Sequence, residues 1–352
     1  MQRYFFKDGY YFNHSNESRK TYFKKYFKSI GQSFLAIMRS RFVKDNRKFV
    51  FTPAIKDEWI CNKKPIEKSF EPIITWVGQA TFLIQIGNVN ILTDPVFGNL
   101  GLGFNRNFPP GISLNDLPKI DYVLISHNHR DHLEINAVRY VTKKYDPVFL
   151  IPQGNKRWFN KLKIEKVMEF KWDNKKTFFL NDFNSDEISF HFLPAFHWST
   201  RGLFDMNTSL WGSWMIEFNG YKIYFAGDSA YDNHFKRIGE KFKKIDVVLM
   251  PIGPNEPEEM VIHSHVSSEQ AGQAFLDLNA HSFIPMHWGT FRIAFDHFDD
   301  PIKRLKKWWS ENEQFLKGKN LNIVKFGQPI KFDFDLVKLK GVENECAKRS
   351  AC

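Results

Sequence analysis

The sequence predicts an α/β fold in one main domain with at least two sheets. Three observations predict it. Short apolar runs of strand length recur from residue 73 onward, with Gly or Asn punctuating the first of them. Single stretches of helical period lie between or after the later runs. Strands mixed with single helices argue for one mixed domain, and 352 residues suffice to bury a large core.

Taken in order, the first expected element is a helix over 18–42. Tyr22, Tyr26, Ile30, Phe34 and Met38 recur at intervals of four, with Phe23, Phe27 and Ile37 beside them and Lys24, Lys25 and Lys28 between. Such a basic amphipathic helix either lies on an anionic membrane surface or packs its aromatic stripe on the body. Residues 45–72 read as a polar, Pro-containing connector, so that 1–72 form an N-terminal extension. The body spans 73–335. Its strands are expected at 73–77, 82–86, 90–93 and 122–126, then at 189–193, 213–218, 221–226, 247–250 and 282–285. Residues 98–120, rich in Gly and Pro, read as a loop. Helices are expected near 135–145, 153–162, 233–242, 267–278 and 301–317, and a polar tail fills 336–352. No internal repeat is evident.

Composition narrows the class. No apolar stretch reaches the roughly 18 residues of a membrane-spanning helix. Residues 1–10 lack the apolar core of a secretory signal. Cys61, Cys346 and Cys352 form neither a disulfide framework nor a zinc-finger spacing, and read as free thiols in a reducing compartment. The chain carries a net charge of +11, yet residues 1–50 alone hold +9. The basicity therefore belongs to the N-terminal segment. Interleaved there with aromatics, it favours a lipid surface over a nucleic-acid track.

The strongest chemical signal lies at 127–132. Tyr122 to Ile125 reads as a buried strand, and the run His127-Asn128-His129-Arg130-Asp131-His132 follows Ser126. Burying these ligand-type groups unpaired would cost several kcal/mol. A divalent metal removes that cost. Imidazole and carboxylate without thiolate suit zinc, with iron or manganese as alternatives. One metal does not easily take all four residues from so short a loop, whereas two adjacent metals can. More ligands are then needed, and three polar residues follow other apolar strands. Asp228 closes the run 221–228, His197 follows 191–196, and His287 follows 282–286. A carboxylate at Asp228 could bridge two cations.

This constellation resembles the metallo-β-lactamase superfamily, and within it the N-acylphosphatidylethanolamine-hydrolysing phospholipase D family. The matching stretches run from about Thr75 to Gly327. They include Thr75-Trp76-Val77-Gly78-Gln79-Ala80-Thr81, Leu92-Thr93-Asp94-Pro95, Leu210-Trp211-Gly212-Ser213-Trp214, Phe225-Ala226-Gly227-Asp228, Pro251-Ile252-Gly253, His265-Val266 and His287-Trp288-Gly289-Thr290-Phe291. The Leu-Trp-Gly-Ser-Trp and His-Trp-Gly-Thr-Phe segments are narrower than the metal motif. The resemblance implies an αββα four-layer sandwich, here with a basic amphipathic helical extension. It implies one zinc on His127, His129 and His197, a second on Asp131, His132 and His287, and Asp228 as bridge. Asp131 and His265 would act in the reaction, and Asp94 would orient a ligand histidine from behind. Two departures stand out. Gln79 replaces the His of many relatives, and Glu258 and Glu259 replace a basic and an aromatic residue.

The function so implied is hydrolysis of N-acylphosphatidylethanolamine-like phospholipids to N-acylethanolamine and phosphatidic acid. Zinc lowers the pKa of water from near 16 to about 7, and the resulting hydroxide, bridging the metals, would attack phosphorus. Leu100, Leu102, Phe104 and Phe108 of the 98–110 loop, with the N-terminal helix, are candidates for an acyl groove. The expected setting is cytoplasmic, peripheral at the inner membrane face, with no nucleic-acid partner and a homodimer among the expected assemblies. A lactonase, another small-molecule phosphodiesterase, a nuclease and a non-enzymatic scaffold are the competing readings.

Overall fold

Two seven-stranded sheets form the centre of the molecule. The computed structural model describes residues 5–13, 58–101, 104–180, 186–202 and 204–334. The helix expected over 18–42 and the tail over 336–352 lie outside the described residues, as do Leu102, Cys346 and Cys352.

The first sheet holds β3 (Ile73–Gly78), β4 (Thr81–Ile86), β5 (Val89–Thr93), β6 (Tyr122–Leu124), β7 (Val148–Pro152), β8 (Val167–Phe170) and β16 (Pro329–Lys331), in the order β16-β3-β4-β5-β6-β7-β8. The second holds β9 (Lys175–Phe179), β10 (Glu187–Leu193), β11 (Ser213–Phe218), β12 (Tyr221–Phe225), β13 (Ile245–Pro251), β14 (Ala280–Met286) and β15 (Asn320–Leu321), in the order β15-β14-β13-β12-β11-β10-β9. Both sheets are antiparallel at one end and parallel at the other. The change falls at β5–β6 in the first and β12–β13 in the second. The two sheets thus repeat one pairing scheme, although no repeat is legible in the side chains. Pairing is a backbone property and tolerates wide sequence change.

Side-chain period builds the layers. In β4, Phe82, Ile84 and Ile86 point into the core that also holds the second sheet's Phe190, Phe192 and Trp214. Leu83 points the other way, into a smaller core with Val138, Val141 and Phe159. Those last three belong to α1 (Ile135–Tyr145) and α2 (Lys156–Lys161), which cover the first sheet. The second sheet is covered by α3 (His234–Phe242), α5 (Ser268–Asp277) and α6 (Asp300–Glu311), through Phe235, Ile238, Ala274, Phe275 and Leu305. A short α4 (Glu258–Val261) lies between α3 and α5. The result is the four-layer αββα sandwich. Helix α5 begins where the sequence asks it to. Ser267 accepts from the Gln270 backbone N–H at 3.2 Å, and the Gln270 side chain accepts from Ser267 at 3.1 Å.

Several strands escaped the sequence reading, among them β15 and β16, only two and three residues long. β7 follows α1 so closely that its apolar run merges with the helical pattern, and β8 is only four residues long. β9 reads as polar because Lys175 and Lys176 open it. It is an edge strand, where lysines discourage pairing with another chain. The expected 301–317 helix divides at Asn312 into α6 and a separate 3-10 turn over Glu313–Phe315. At the N-terminus, β1 (Phe5–Lys7) and β2 (Tyr10–Phe12) form a hairpin against the body. Tyr11 and Phe12 are buried there, and the Asn13 amide donates to the His197 carbonyl at 2.8 Å.

One glycine couples the sheets at the edge that matters. Gly227 has φ +60°, and a Cβ on it would stand 2.6 Å from Ser126 Cβ. Gly227→Ala should therefore lower stability by roughly 2–4 kcal/mol from backbone strain plus overlap. Urea unfolding would measure this, and an unchanged midpoint would refute it.

Candidate metal centre

The chemistry-bearing residues follow the C-terminal ends of strands in both sheets. Gln79 follows β3, Asp94 follows β5, and the 126–132 loop follows β6. Across the sandwich, His197 follows β10, Asp228 follows β12, and His287 follows β14. His265 lies on the connection from β13 to α5. Parallel strands release their loops at this end, which is where open α/β sheets gather their sites. Trp214 Nε1 donates to the Ile125 carbonyl at 2.9 Å, and Gly212 N–H donates to the Ser126 carbonyl at 3.0 Å. These bonds lock the second sheet to the end of β6.

Two groups of candidate ligand atoms meet at one carboxylate. In the first, His127 Nε2 lies 2.8 Å from His129 Nδ1, and His197 Nε2 lies 3.2 Å from the same atom. In the second, Asp131 Oδ2 lies 3.5 Å from His132 Nε2 and 3.3 Å from His287 Nε2. Asp228 Oδ2 stands between the groups. It is 3.1 Å from His132 Nε2 and 3.2 Å from His287 Nε2 on one side, and 3.9 Å from His127 Nε2 and 3.8 Å from His197 Nε2 on the other. His265 Nδ1 faces the same oxygen at 3.7 Å, whereas His263 is exposed.

A shell behind the imidazoles fixes their rings. His132 Nδ1 meets Asp94 Oδ2 at 2.7 Å, and His127 Nδ1 meets Ser126 Oγ at 2.9 Å. Ser126 donates to Asp94 from both its N–H, at 2.7 Å, and its hydroxyl, at 2.5 Å. His197 Nδ1 meets the Ser264 carbonyl at 2.8 Å, and His287 Nδ1 meets the Gly253 carbonyl at 3.1 Å. In each of these four, Nδ1 is engaged behind and Nε2 turns to the centre. Asp94 and His287 hold positive φ, 32° and 61°. Such backbone costs about 1–3 kcal/mol per residue and persists where surrounding structure enforces it. Asp94→Asn should weaken metal binding about 10- to 100-fold. Competition against a chelator measures it, and an unchanged affinity would show that Asp94 is only packing.

The electrostatics divide the histidines. Burial, with neighbouring imidazoles, holds His127 well below its usual pKa, and burial brings His129, His197 and His265 down to about 3. The neutral form is thereby favoured in all four, and for His127, His129 and His197 it is the form that metal ligation requires. Burial also opposes charge on His132 and His287, but Asp228 and Asp131 outweigh it. They hold His132 well above the usual value and His287 at about 9. Burial opposes the ionised form of Asp131 and Asp228 in turn, and the surrounding imidazoles still hold both well below the usual carboxylate range.

The donor set fits divalent cations. His132 Nε2, His287 Nε2 and Asp228 Oδ1 are buried without an aligned hydrogen-bond partner. Buried polar atoms are rarely left so unless something else pairs with them. Ligand atoms around a tetrahedral zinc at about 2.0–2.1 Å stand about 3.3 Å apart, close to the 2.8 and 3.2 Å within the first group.

Sequence reading missed what supports the centre. The Gln79 side chain donates to Asp131 Oδ2 at 2.9 Å. Trp198 packs edge-on against His129, with ring centres 4.1 Å apart. Arg201 reaches the His129 carbonyl at 3.4 Å and lies over the Trp158 ring. Gln79 was visible only as a departure from a motif, and nothing marked Arg201 or the backbone carbonyls. One expectation needs correcting. Phe108 does not line a groove. It is 1% exposed and stacks on Phe326 at 5.0 Å, because its loop runs over the open end of the inter-sheet core.

A sandwich of two such sheets, with a buried His/Asp cluster at their shared edge able to hold metal ions, defines a metallo-hydrolase of the metallo-β-lactamase fold. The model of the beta-lactamase superfamily domain matches residues 89–288. N-acyl-phosphatidylethanolamine-hydrolyzing phospholipase D 1 of Caenorhabditis elegans is 32% identical over 267 residues, covering 72% of this chain and 74% of the relative. The chain belongs to the metallo-β-lactamase superfamily and, within it, to the family of N-acylphosphatidylethanolamine-hydrolysing phospholipase D-like proteins. The mitochondrial enzyme of that name from Saccharomyces cerevisiae is 33% identical over 66% of this chain, which spans 50% of the yeast relative's length. Among solved structures, the metallo hydrolase Igni18 of Ignicoccus hospitalis shares the fold, with a TM-score of 0.58 and 20% identity over 75% of this chain and 99% of its own.

Proposed function

We propose that this protein is a two-zinc phosphodiesterase of the phospholipase D type. It hydrolyses N-acylphosphatidylethanolamine-like lipids to phosphatidic acid and an N-acylethanolamine at the cytoplasmic face of a membrane. The observation that carries the reading is the pair of ligand groups joined at Asp228 Oδ2, in a chain whose relatives bear that activity in their names. Paired cations suit in-line displacement at phosphorus, where attacking and leaving oxygens both carry charge.

His127, His129 and His197 would hold one cation, and Asp131, His132 and His287 the other, with Asp228 shared. Bound zinc would supply Lewis acidity toward the phosphoryl oxygens and lower the pKa of water from near 16 to about 7. The chain's residues do the rest. Asp94 and Ser126 keep His127 and His132 turned inward. His265, buried at Nδ1 beside Asp228, places an imidazole where it can hydrogen-bond a phosphoryl oxygen. Water adds to phosphorus, the bond to the N-acylethanolamine oxygen breaks, and that oxygen leaves with the proton that the water gives up. Phe204 is a candidate contact for an acyl chain. It is 84% exposed on the loop that carries Arg201 against His129. The net +9 of residues 1–50 suits an anionic surface. Among the described residues, no helix is long and apolar enough to cross a membrane.

The test is hydrolysis of N-acylphosphatidylethanolamine vesicles, read as phosphatidic acid by mass spectrometry. Release that disappears in His129→Ala is expected. Two bound zincs without lipid turnover would overturn the substrate and leave the hydrolase. His265→Ala should lower kcat by about 10²- to 10³-fold with both metals retained. Loss of metal in that variant would instead make His265 a ligand.

A further inference from the structure

We propose that Gln79 is a positioning residue for Asp131, and that it sets the affinity of the Asp131–His132–His287 metal group without affecting the His127–His129–His197 group. The proposal rests on the two-metal reading above.

The four Nδ1-anchored histidines are fixed from behind by a carboxylate, a hydroxyl or a backbone carbonyl. Asp131 differs. It sits on the tip of the 126–132 loop with its side chain 17% exposed, while the other carboxylate of the centre, Asp228, is 2% exposed. Apart from its fellow ligands, the hydrogen-bond donor recorded for its carboxylate among the described residues is Gln79 Nε2, at 2.9 Å. That bond falls on Oδ2, the oxygen that faces His132 and His287. An N–H on one lone pair leaves the other aimed at the two imidazoles. The carboxylate is thereby held in the rotamer that completes the group.

Residue 79 also holds the other side of the same group. Its carbonyl accepts from the His287 N–H at 3.1 Å and from Trp76 Nε1 at 3.0 Å. Its N–H donates to Thr290 Oγ1 at 2.7 Å. The backbone there is left-handed, φ 51°, which turns the side chain from the end of β3 toward Asp131. One residue therefore fixes two ligands of one group through independent bonds. No bond recorded for Gln79 reaches His127, His129 or His197.

Zinc titration against a competing chelator tests this on the full chain. The wild type should take up two zincs. Gln79→Met keeps length and bulk but removes the donor, and should weaken uptake of one zinc by 10- to 100-fold while the other is unchanged. Gln79→His, which restores a ring N–H, should recover both. Thermal unfolding of the metal-free variants should match wild type, separating positioning from folding. If Gln79→Met does not fold, Gln79→Asn replaces it. Asn accepts the left-handed backbone but ends one methylene short, and the same loss is expected. Wild-type affinity at both sites in these variants, or equal loss at both, overturns the proposal. So does a His variant as weak as Met. Uptake of fewer than two zincs by the wild type overturns the two-metal reading, and this proposal with it, before any variant is compared.

Discussion

Asp228→Ala should cut hydrolysis by about 10³-fold or more and weaken both metals together. The physical reason is position. Asp228 Oδ2 lies within 3.9 Å of four imidazole nitrogens drawn from both ligand groups. Its side chain is 2% exposed, so water does not readily replace it. Removing it also strips His132 and His287 of the anion that, with Asp131, holds their pKa values up against burial. Removing a single preorganised stabiliser costs about 10²- to 10³-fold in other hydrolases, and here one change would act on both cations of the proposed pair. Metal content and product release should fall together. A variant that keeps two metals at wild-type affinity would show that Asp228 does not bridge.

Stripping the metals should cost the protein about 10 °C in Tm, as well as its activity. A ligand present at about 1,000 times its Kd adds about 4 kcal/mol to stability. For a domain of this size, each kcal/mol moves Tm by about 2–4 °C. The cluster gives a structural reason. Three of its atoms, His132 Nε2, His287 Nε2 and Asp228 Oδ1, are buried without an aligned partner, and they draw the ends of β6, β12 and β14 to one point. Chelation followed by thermal unfolding measures the shift, and re-addition of zinc should restore it. An unchanged Tm and retained turnover would mean that the cluster is a polar core and not a metal centre.

Much of the candidate centre is legible in the sequence because its proposed ligands are local. Six consecutive residues, His127 to His132, supply four of them from one strand end. His197, Asp228 and His287 each follow an apolar run, so a search for polar residues at strand ends finds them singly. The same local logic gives most strands and helices, since period-two and period-3.6 patterns act within one element. It fails at β8 and β9, short segments whose polar residues face solvent.

The sequence alone thus determined the element types, the 127–132 run and the family resemblance, because each is written within short stretches of chain. Only the tertiary structure decided how those stretches meet. The chain from His127 to Asp228 is long, yet the sandwich brings both to one edge, with His132 3.1 Å from the carboxylate. Phe108 went to the core and not to a groove, because stacking on Phe326 depends on a neighbour far along the chain. Gln79 became a support for Asp131 through a bond spanning 52 residues. Such contacts form when sheet packing brings distant strand ends together, and local pattern carries no record of them.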